Sequence, residues 1–321
     1  MMNILVSNNY KGQVLEILKV CVPDGFEVLL LEENTQECFE KLAPEADYIL
    51  ASGRVKITKN VLERASKLKM VQRTGVGLDS IDLAELKRRD IPLYVNQGVN
   101  AESVAEHTLL LMLACLRRLS MIHRNTINGI WERQEQGIQT YELAGKTVGL
   151  VGMGNIARTV VKLLKSFEVN ILYYDLFPLP PEREIDLGIS YCKLEDMLPH
   201  VDIISLHCPL TDGTRKIINA ESLDQIKQGA ILINTARGGL IDTDAVVKSL
   251  RSGKLSYAGL DVHEEEPLIG EKEIMKLENV ILTPHIGGIT HDSFYRMMHD
   301  AMRNIAKFEE GDLEGISKYL H

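Results

Sequence analysis

Short apolar runs, many of them β-branched, alternate along the chain with longer stretches in which apolar residues recur every three or four positions. The short runs are typical of strands buried on both faces, and the longer stretches are typical of helices with one apolar face. Strands and helices that follow one another in turn form parallel sheets covered by helices. A length of 321 residues fits about two such domains. The sequence therefore predicts an α/β fold with two doubly wound parallel-sheet domains.

The predicted elements divide the chain into two domains. The first contains strands at 3–6, 27–31, 48–50, 70–72 and 93–95, with helices at 11–20, 37–42, 59–68 and 83–89. The second contains strands at 147–151, 169–174, 203–206, 230–233, 256–260 and 280–282, with later helices at 194–198, 220–227, 243–250 and 273–277. A long helix, apolar on nearly every side at 109–116, is expected to be buried between the domains, and a helix at 292–308 returns to the first. We predict domains of residues 1–99 with 290–321, and 100–289.

The stretch from residue 146 to residue 175 carries a binding motif. An apolar strand is followed by Gly152, Gly154 and Ala157 at the spacing of a dinucleotide-binding turn, and a helix begins near Asn155. The first glycine makes the turn, the second lets the backbone approach a pyrophosphate, and the third position must be small. Asp175 ends the next strand, where a carboxylate holds the ribose 2′-hydroxyl of NAD and repels the 2′-phosphate of NADP. A glycine turn alone is a weak signal, but strand, helix and acid together predict NAD.

Composition and charge exclude several classes of function. The net charge of −9 is spread along the chain without a basic block, so nucleic acid is not an expected partner. No stretch approaches the roughly 18 apolar residues of a membrane span, and the first residues lack an export signal. The five cysteines are scattered and odd in number. They are typical of reduced thiols in a cytoplasmic protein, and no metal site is predicted.

Polar side chains follow three successive strands of the second domain. Arg237 comes after the strand at 230–233, Glu266 after that at 256–260, and His285 after that at 280–282. Because ligands of open parallel sheets bind at the carboxyl ends of the strands, we expect these side chains to converge where the nicotinamide lies. Each has a structural alternative as a turn arginine, a loop acid or an ordinary histidine. Their joint placement favours a catalytic site.

These side chains fit the oxidation of an alcohol by NAD. His285 accepts the hydroxyl proton because imidazole titrates near neutral pH, and Glu266 fixes the tautomer and favours the charged ring. Arg237 holds a carboxylate through two parallel N–H bonds. The substrate described by these groups is a 2-hydroxy acid, or the 2-keto acid in reverse. His207 follows another strand and is expected to border the cofactor.

Two other segments leave alternatives open. Val76 and Gly77 lie in a glycine-rich segment after the fourth strand, which either presents N–H groups to a small anion or simply makes a turn. The polar segment at 125–141 contains the only tryptophan, Trp131, which serves either packing or a subunit contact.

Seven motifs, in order along the chain, resemble signatures of the D-isomer-specific 2-hydroxyacid dehydrogenases. They are GVGLDSID (75–82), NAESVAEHTLLLML (100–113), LAGKTVGLVGMGNIA (143–157), HCPLT (207–211), NTARGG (234–239), GLDVHEEEP (259–267) and TPHIGG (283–288). The resemblance covers nearly the whole chain, and the combination of motifs is highly specific.

The resemblance implies a flavodoxin-like substrate domain, a Rossmann NAD-binding domain, a cleft between them and a homodimer built on the NAD-binding domain. It implies that Arg237, Glu266 and His285 are catalytic. Among the three successive glutamates, Glu266 is chosen because the acid before the proline carries the family role. Val76 and Gly77 would bind the substrate carboxylate, with Arg237 and His285. Contacts with NAD would come from Gly152, Gly154, Asn155, Ile156, Asp175, His207, Cys208, Pro209, Thr235, Ala236, Asp261 and Gly287. Asp261 would hold the carboxamide, and candidate substrates are 3-phosphoglycerate, glyoxylate or hydroxypyruvate, and lactate or pyruvate.

The sequence departs from the family pattern at three places. His263 stands where an aromatic residue is usual, and Ile289 where a small or polar one is common, so both are expected to reshape the pocket. The segment at 52–54 resembles a loop of phosphoglycerate dehydrogenases with its arginine displaced by two positions. Arg54 is therefore either a phosphate ligand or a solvated loop residue.

An alternative function within the same fold is an NAD(H)-sensing binding protein that resembles the C-terminal-binding corepressors. Those proteins carry a tryptophan shortly after the histidine, where Gly287 and Gly288 stand in this chain. Formate dehydrogenases, which are also similar, have a glutamine in place of Glu266. The sequence therefore favours an enzyme acting on a 2-hydroxy acid.

Overall fold

A computed structural model of the protein describes residues 1–53 and 55–319. The chain divides into two compact units, one formed by Met1–Asn100 with Thr290–His321 and the other by Ala101–Ile289. Each unit contains one sheet, and the paired strands in both sheets run parallel. The predicted α/β class with two parallel sheets is confirmed.

The first unit has the strand order β2-β1-β3-β4-β5, which is the flavodoxin-like order. Its strands are β1 Met2–Val6, β2 Phe26–Leu29, β3 Tyr48–Ala51, β4 Met70–Arg73 and β5 Leu93–Val95. Its first helices are α1 Gly12–Cys21, α2 Gln36–Leu42, α3 Lys59–Arg64 and α4 Leu83–Arg88. The strands carry apolar residues on both faces, so a separate apolar core lies on each side of the sheet.

The second unit has the strand order β12-β11-β10-β9-β6-β7-β8. Its strands are β6 Thr147–Val151, β7 Asn170–Tyr174, β8 Ser190–Tyr191, β9 Ile203–Leu206, β10 Ala230–Asn234, β11 Leu255–Leu260 and β12 Val280–Leu282. Its helices are α5 Ala101–Leu116, α6 Leu119–Ile127, α7 Arg133–Gly137, α8 Asn155–Leu164, α9 Pro181–Leu187, α10 Leu194–Met197, α11 Ala220–Gln225 and α12 Thr243–Ser252. This is the Rossmann order with a seventh strand beside the sixth. The chain then returns to the first unit through α13 His291–Glu310, which packs with α1.

The structure differs from the prediction in the surroundings of α5. This helix packs on α8, β10 and β11 of its own unit, and its inner face belongs to the core there. The expected burial on nearly every side is wrong for Leu110, because its side chain is 53% exposed. The apolar run therefore supplies one core-facing side and leaves an apolar residue at the surface.

Smaller differences concern the ends of elements. The helix α3 ends at Arg64, because Ala65 has already left the helical conformation. The helix expected at 273–277 is a single 3-10 turn, Glu273–Lys276. Of the elements in the second unit, α6, α7, α9 and β8 were not predicted. Among the described residues, none of the helices combines the length and the apolar character needed to cross a membrane.

Candidate active site

The turn after β6 requires a glycine at its first position. Gly152 has a φ of +98°, and a Cβ atom there would lie 2.6 Å from the backbone nitrogen of Cys208. The N–H of Gly152 donates to the carbonyl of Tyr174, at 2.7 Å. The turn is therefore packed directly against the segment that follows β9, and no side chain fits between them.

The N-terminus of α8 is open where a pyrophosphate would bind. Gly154 is the N-cap, and among the described residues no side chain caps this end of the helix. A Cβ atom on Gly154 would contact nothing within 4 Å, so the space outside it is open. Asn155 and Ile156 begin the helix, and Ala157 is fully buried against the core. The residues present thus fit a dinucleotide, whose phosphates would meet unpaired N–H groups.

Asp175 lies directly after β7, beside the glycine turn. Its Oδ2 accepts the N–H of Met153 at 2.7 Å, and its Oδ1 accepts the N–H of Phe177 at 2.9 Å. The side chain is half-buried, and each oxygen keeps a further acceptor direction. This fixed carboxylate fits the hydroxyl groups of an NAD ribose, and it does not fit a phosphate.

The segment after β9 adds no charge to this region. The Nε2 atom of His207 lies 2.9 Å from the hydroxyl of Ser205, and burial lowers the pKa of His207 to about 4. Burial also raises the pKa of the Cys208 thiol to about 11. Both groups are therefore neutral near pH 7. Pro209 follows them and is exposed.

The structure brings Glu266 and His285 together. The His285 Nδ1 atom lies 2.7 Å from the Glu266 Oε2 atom, and the two side chains are 46% and 36% exposed. Glu266 Oε1 accepts the N–H of His263 at 3.0 Å. Burial alone would raise the pKa of Glu266, but the hydrogen bonds from His285 and from the backbone of His263 outweigh it and lower the pKa. The ionised carboxylate holds the proton on Nδ1 and leaves Nε2 to exchange a proton with a ligand.

Asp261 is a second carboxylate at this edge of the sheet, and it is almost completely buried. It accepts the hydroxyl of Thr283 at 2.5 Å and the N–H groups of Ile286 and Gly287 at 2.9 and 2.8 Å. Burial would raise the pKa of Asp261, but the neighbouring His107 and hydrogen bonds from Thr283 and these two amides lower it to about 2. The Asp261 carbonyl also accepts the N–H of His285 at 2.7 Å. One residue thus ties the end of β11 to the end of β12.

Arg237 lies in the loop after β10. Asn234 holds this loop, because its side chain accepts the N–H of Ala236 at 3.1 Å and donates to the carbonyl of Arg237 at 2.9 Å. A Cβ atom on Gly238 would lie 2.0 Å from the carbonyl of His263, so the arginine loop packs on the loop that leads to Glu266. The guanidinium Nη1 donates to the Ala236 carbonyl at 2.7 Å.

Two residues near this edge escaped the sequence analysis. His107 on α5 reaches the hydroxyl of Thr283, with 3.1 Å between Nε2 and Oγ1. The next residue, Thr108, pairs its hydroxyl with that of Thr235 at 2.9 Å. The available signal was a polar pair directly before the apolar run at 109–116. The family departure His263 bonds the Thr283 carbonyl through Nε2 at 3.0 Å, whereas Ile289 is exposed.

The remaining predicted residues belong to the first unit. Val76 is exposed, and the carbonyl of Gly77 accepts the Nε–H of Arg73 at 2.7 Å. Arg73 also donates to the carbonyl of Ala51 at 2.8 Å, so a strand-end arginine joins the loops after β3 and β4. Sequence reasoning missed this arginine. The predicted binding of a carboxylate by Val76 and Gly77 stays a prediction, and Arg54 lies outside the described residues.

The chain is similar to known proteins over most of its length. A family model described as the NAD binding domain of D-isomer specific 2-hydroxyacid dehydrogenase matches residues 109–287. A hydroxypyruvate reductase of Thermotoga maritima is 40% identical over 83% of this chain and 86% of its own. A glyoxylate reductase of Thermococcus litoralis is 38% identical over 84% of this chain and 82% of its own. The crystal structure of a Thermus thermophilus protein matches with a TM-score of 0.89 and 33% identity, over 99% of this chain and 100% of that chain.

The sheet order and the glycine turn define the class as a Rossmann-type dinucleotide-binding protein. Within that class, the chain belongs to the D-isomer-specific 2-hydroxyacid dehydrogenases. It is an NAD-dependent enzyme, and the resemblance seen in its sequence motifs is confirmed.

Proposed function

We propose that the enzyme reduces a small 2-keto acid to the D-2-hydroxy acid, and oxidises it in reverse, with His285 and Glu266 as the acid/base pair. The 2.7 Å contact between His285 Nδ1 and Glu266 Oε2 carries this proposal. It matches the arrangement in which a carboxylate orients an imidazole and stabilises its charged form. Arg237 would hold the carboxylate of the substrate through two N–H donors.

NAD supplies the hydride acceptor or donor when it is bound. Residues of the chain would bind the substrate and transfer the proton. In the reductive direction, His285 would donate the Nε2 proton to the oxygen at C2 while Glu266 keeps Nδ1 protonated. In the oxidative direction, the same nitrogen would accept the hydroxyl proton. Arg237 would stabilise the developing charge on the C2 oxygen and orient the acid.

Different residues of the second unit would bind different parts of NAD. Gly152, Gly154, Asn155 and Ile156 would bind the pyrophosphate through backbone N–H groups, and Asp175 would accept ribose hydroxyls. The neutral segment from His207 to Pro209 would border the adenosine half, with Thr235 and Ala236 nearer the nicotinamide. Asp261 would accept the N–H of the carboxamide, and Gly287 would hold that carboxylate in place.

We propose glyoxylate and hydroxypyruvate as the preferred substrates, because the relatives with 40% and 38% identity carry these two activities in their names. The test is NADH oxidation with a panel of glyoxylate, hydroxypyruvate, pyruvate and phosphohydroxypyruvate. We expect the highest kcat/KM for one of the first two. A preference for phosphohydroxypyruvate would instead support a phosphoglycerate dehydrogenase. Tight NADH binding without turnover of any acid would support the NAD(H)-sensing alternative.

We also propose that the protein is a homodimer built on the second unit. The segment from α5 to residue 141 leaves large apolar side chains at the surface, and Trp131 is 80% exposed. The exposed apolar residues of this segment are Leu110, Leu119, Ile127, Ile130, Trp131, Ile138 and Tyr141. Such a concentration is typical of an interface. Light scattering should give twice the mass of the chain, and Trp131→Glu should shift the protein toward monomer.

The five cysteines are free in the structure, which supports the proposed cytoplasmic location.

A further inference from the structure

His107 occupies an unusual place on α5. Its side chain is only 13% exposed, although its ring carries two polar nitrogens. The Nε2 atom lies 3.1 Å from the Thr283 hydroxyl and 3.5 Å from Asp261 Oδ1. A buried imidazole that only filled space would gain nothing from these neighbours, because a leucine fills space without the cost of burying polar atoms.

The hydrogen bonds run in one direction. An ionised carboxylate only accepts, so the Thr283 hydroxyl donates its single proton to Asp261 Oδ1, at 2.5 Å. The Thr283 oxygen is then an acceptor, and His107 must carry a proton on Nε2 to donate to it. The chain of donors is therefore His107 to Thr283 to Asp261, and it starts on a rigid helix of 16 residues.

The same network leaves one acceptor position on Asp261. The Oδ1 atom accepts from Thr283 and from the N–H of Ile286. Among the described residues, Oδ2 accepts only the N–H of Gly287, at 2.8 Å. A carboxylate oxygen has two acceptor directions, so Oδ2 keeps one. Rotation of the carboxylate would break the bond from Thr283, and the unused direction is therefore fixed.

Packing makes the ring part of the same unit. A Cβ atom on Gly287 would lie 2.9 Å from Asp261 Oδ2 and 3.2 Å from Cδ2 of His107. Only a glycine allows the chain to pass between the carboxylate and the imidazole with its N–H aimed at Oδ2. The ring thus limits the position of Gly287 as well as that of Thr283.

We propose that His107 is a positioning residue for the cofactor, which acts through Thr283 to aim the unused acceptor direction of Asp261 at the carboxamide of the nicotinamide ring. The inference rests on the proposed role of Asp261 toward that carboxamide. A residue of α5, distant in sequence from the strand ends, would then help the enzyme to select a coenzyme that presents N–H donors.

The experiment compares two coenzymes that differ in this group. NADH carries a carboxamide, whereas the reduced 3-acetylpyridine analogue carries an acetyl group without N–H donors. Affinities of the full-length protein for both are measured by coenzyme fluorescence and calorimetry without substrate. Wild type should bind NADH more tightly than the analogue. His107→Leu and Thr283→Val should weaken NADH binding by about tenfold and change analogue binding less than about twofold.

Matched variants separate positioning from damage to the fold. The amide of His107→Gln can place an N–H near the position of Nε2, so this variant should retain the preference for NADH. His200→Leu, at an exposed histidine in the loop after α10, should bind both coenzymes like wild type. Equal loss of both affinities in His107→Leu would show a merely structural role and overturn the inference.

Asp261→Asn distinguishes a wrong role for Asp261 from a wrong role for His107. Asp261→Asn should reduce the preference for NADH if Asp261 accepts the carboxamide. If wild type does not prefer NADH over the analogue, or if Asp261→Asn keeps that preference, the proposed role of Asp261 is wrong. The inference about His107 is then wrong as well. If Asp261→Asn loses the preference but His107→Leu keeps it, the inference alone is wrong.

Discussion

The two halves of the seven-stranded sheet carry different chemical groups at the carboxyl ends of their strands. After β6, β7 and β9 the chain presents backbone N–H groups, a glycine turn without room for a Cβ atom, and a neutral histidine. After β10, β11 and β12 it presents a guanidinium, two carboxylates and an imidazole, and a hydrogen bond joins the imidazole of His285 to the carboxylate of Glu266. Asp175 is the charged exception in the first half.

The difference separates holding a coenzyme from doing chemistry with it. Phosphates and ribose are bound by main-chain geometry, so substitutions in the first half act through shape and alter affinity. Proton transfer and carboxylate binding need charge, so substitutions of the catalytic residues in the second half act through electrostatics and alter rate. Each prediction below changes one half, and the two at the catalytic residues also test whether coenzyme binding is unaffected.

The largest effect is expected at His285. His285→Ala removes the acid/base group and should lower kcat by two to four orders of magnitude, while NADH affinity changes less than about twofold. Because His285 has a φ of +57°, His285→Asn is a useful companion, since asparagine tolerates this conformation. Steady-state kinetics and NADH titration test both. Full activity in either variant would refute the assignment.

Glu266→Gln should have the next largest effect. Glutamine keeps the size and still accepts the N–H of His263, but it removes the negative charge beside His285. We expect kcat to fall by roughly a hundredfold with little change in NADH affinity, since a carboxylate that orients an imidazole contributes on this scale. The control is Glu265→Gln, at the neighbouring acid that pairs with Lys272. A loss of equal size in the control would argue against a specific role.

In the other half, Gly152→Ala should weaken NADH binding by about ten- to a hundredfold. The added Cβ atom would meet Cys208 at 2.6 Å, and the φ of +98° disfavours any side chain. Gly137→Ala is the matched control, because its Cβ atom meets nothing within 4 Å and the residue belongs to α7 rather than to the glycine turn. Equal effects of the two substitutions on the dissociation constant would contradict the packed turn.

His207 should influence stability in acid and leave the rate unchanged. Its pKa of about 4 lies below the ordinary value of 6.5, so the unfolded state binds the extra proton first as the pH falls. Stability is therefore lost between about pH 6.5 and pH 4, by no more than about 2 kcal/mol at pH 5, because the half-buried ring still meets some water. Denaturant unfolding of His207→Gln should show a smaller loss between pH 7.5 and pH 5. An unchanged pH dependence would contradict this.

The smallest effect is expected at Asp175. Asp175→Ala removes the charge that repels a 2′-phosphate, and the ratio of NADPH to NADH affinity should rise about five- to tenfold. Fluorescence titration with the two coenzymes measures the ratio. An unchanged ratio would show that discrimination lies elsewhere.

Sequence periodicity accounts for most of the fold because strands buried on both faces give uninterrupted apolar runs. The partnership of Glu266 and His285 was accessible for the same reason, since both residues follow strands of one parallel sheet. The two-residue β8 is too short to give a pattern. The sequence of α9 contains two signals for the ends of a helix, Pro181 at its start and Gly188, which has a left-handed conformation at its end. The spacing of its apolar residues is weak, so the helix was not predicted.

The parts of the site that were missed depend on distant packing. The contact of His107 with Thr283 joins residues 176 positions apart, and spacing along the chain gives no sign of it. In the sequence, Arg73 resembles any polar residue at the end of a strand, because the two carbonyl groups that it contacts come together only in the folded chain. The exposure of Leu110 depends on what the surface of α5 meets, and a single sequence gives no direct measure of this.

The most direct test of the acid/base pair is the pH dependence of kcat/KM for keto-acid reduction in wild type and Glu266→Gln. The reductive direction needs a protonated imidazole, so activity should fall as the pH rises. Loss of the neighbouring carboxylate destabilises the charged ring, and the alkaline limb of the profile should move to lower pH in the variant. An alkaline limb at the same pH in both proteins would contradict the pairing of Glu266 with His285 in catalysis.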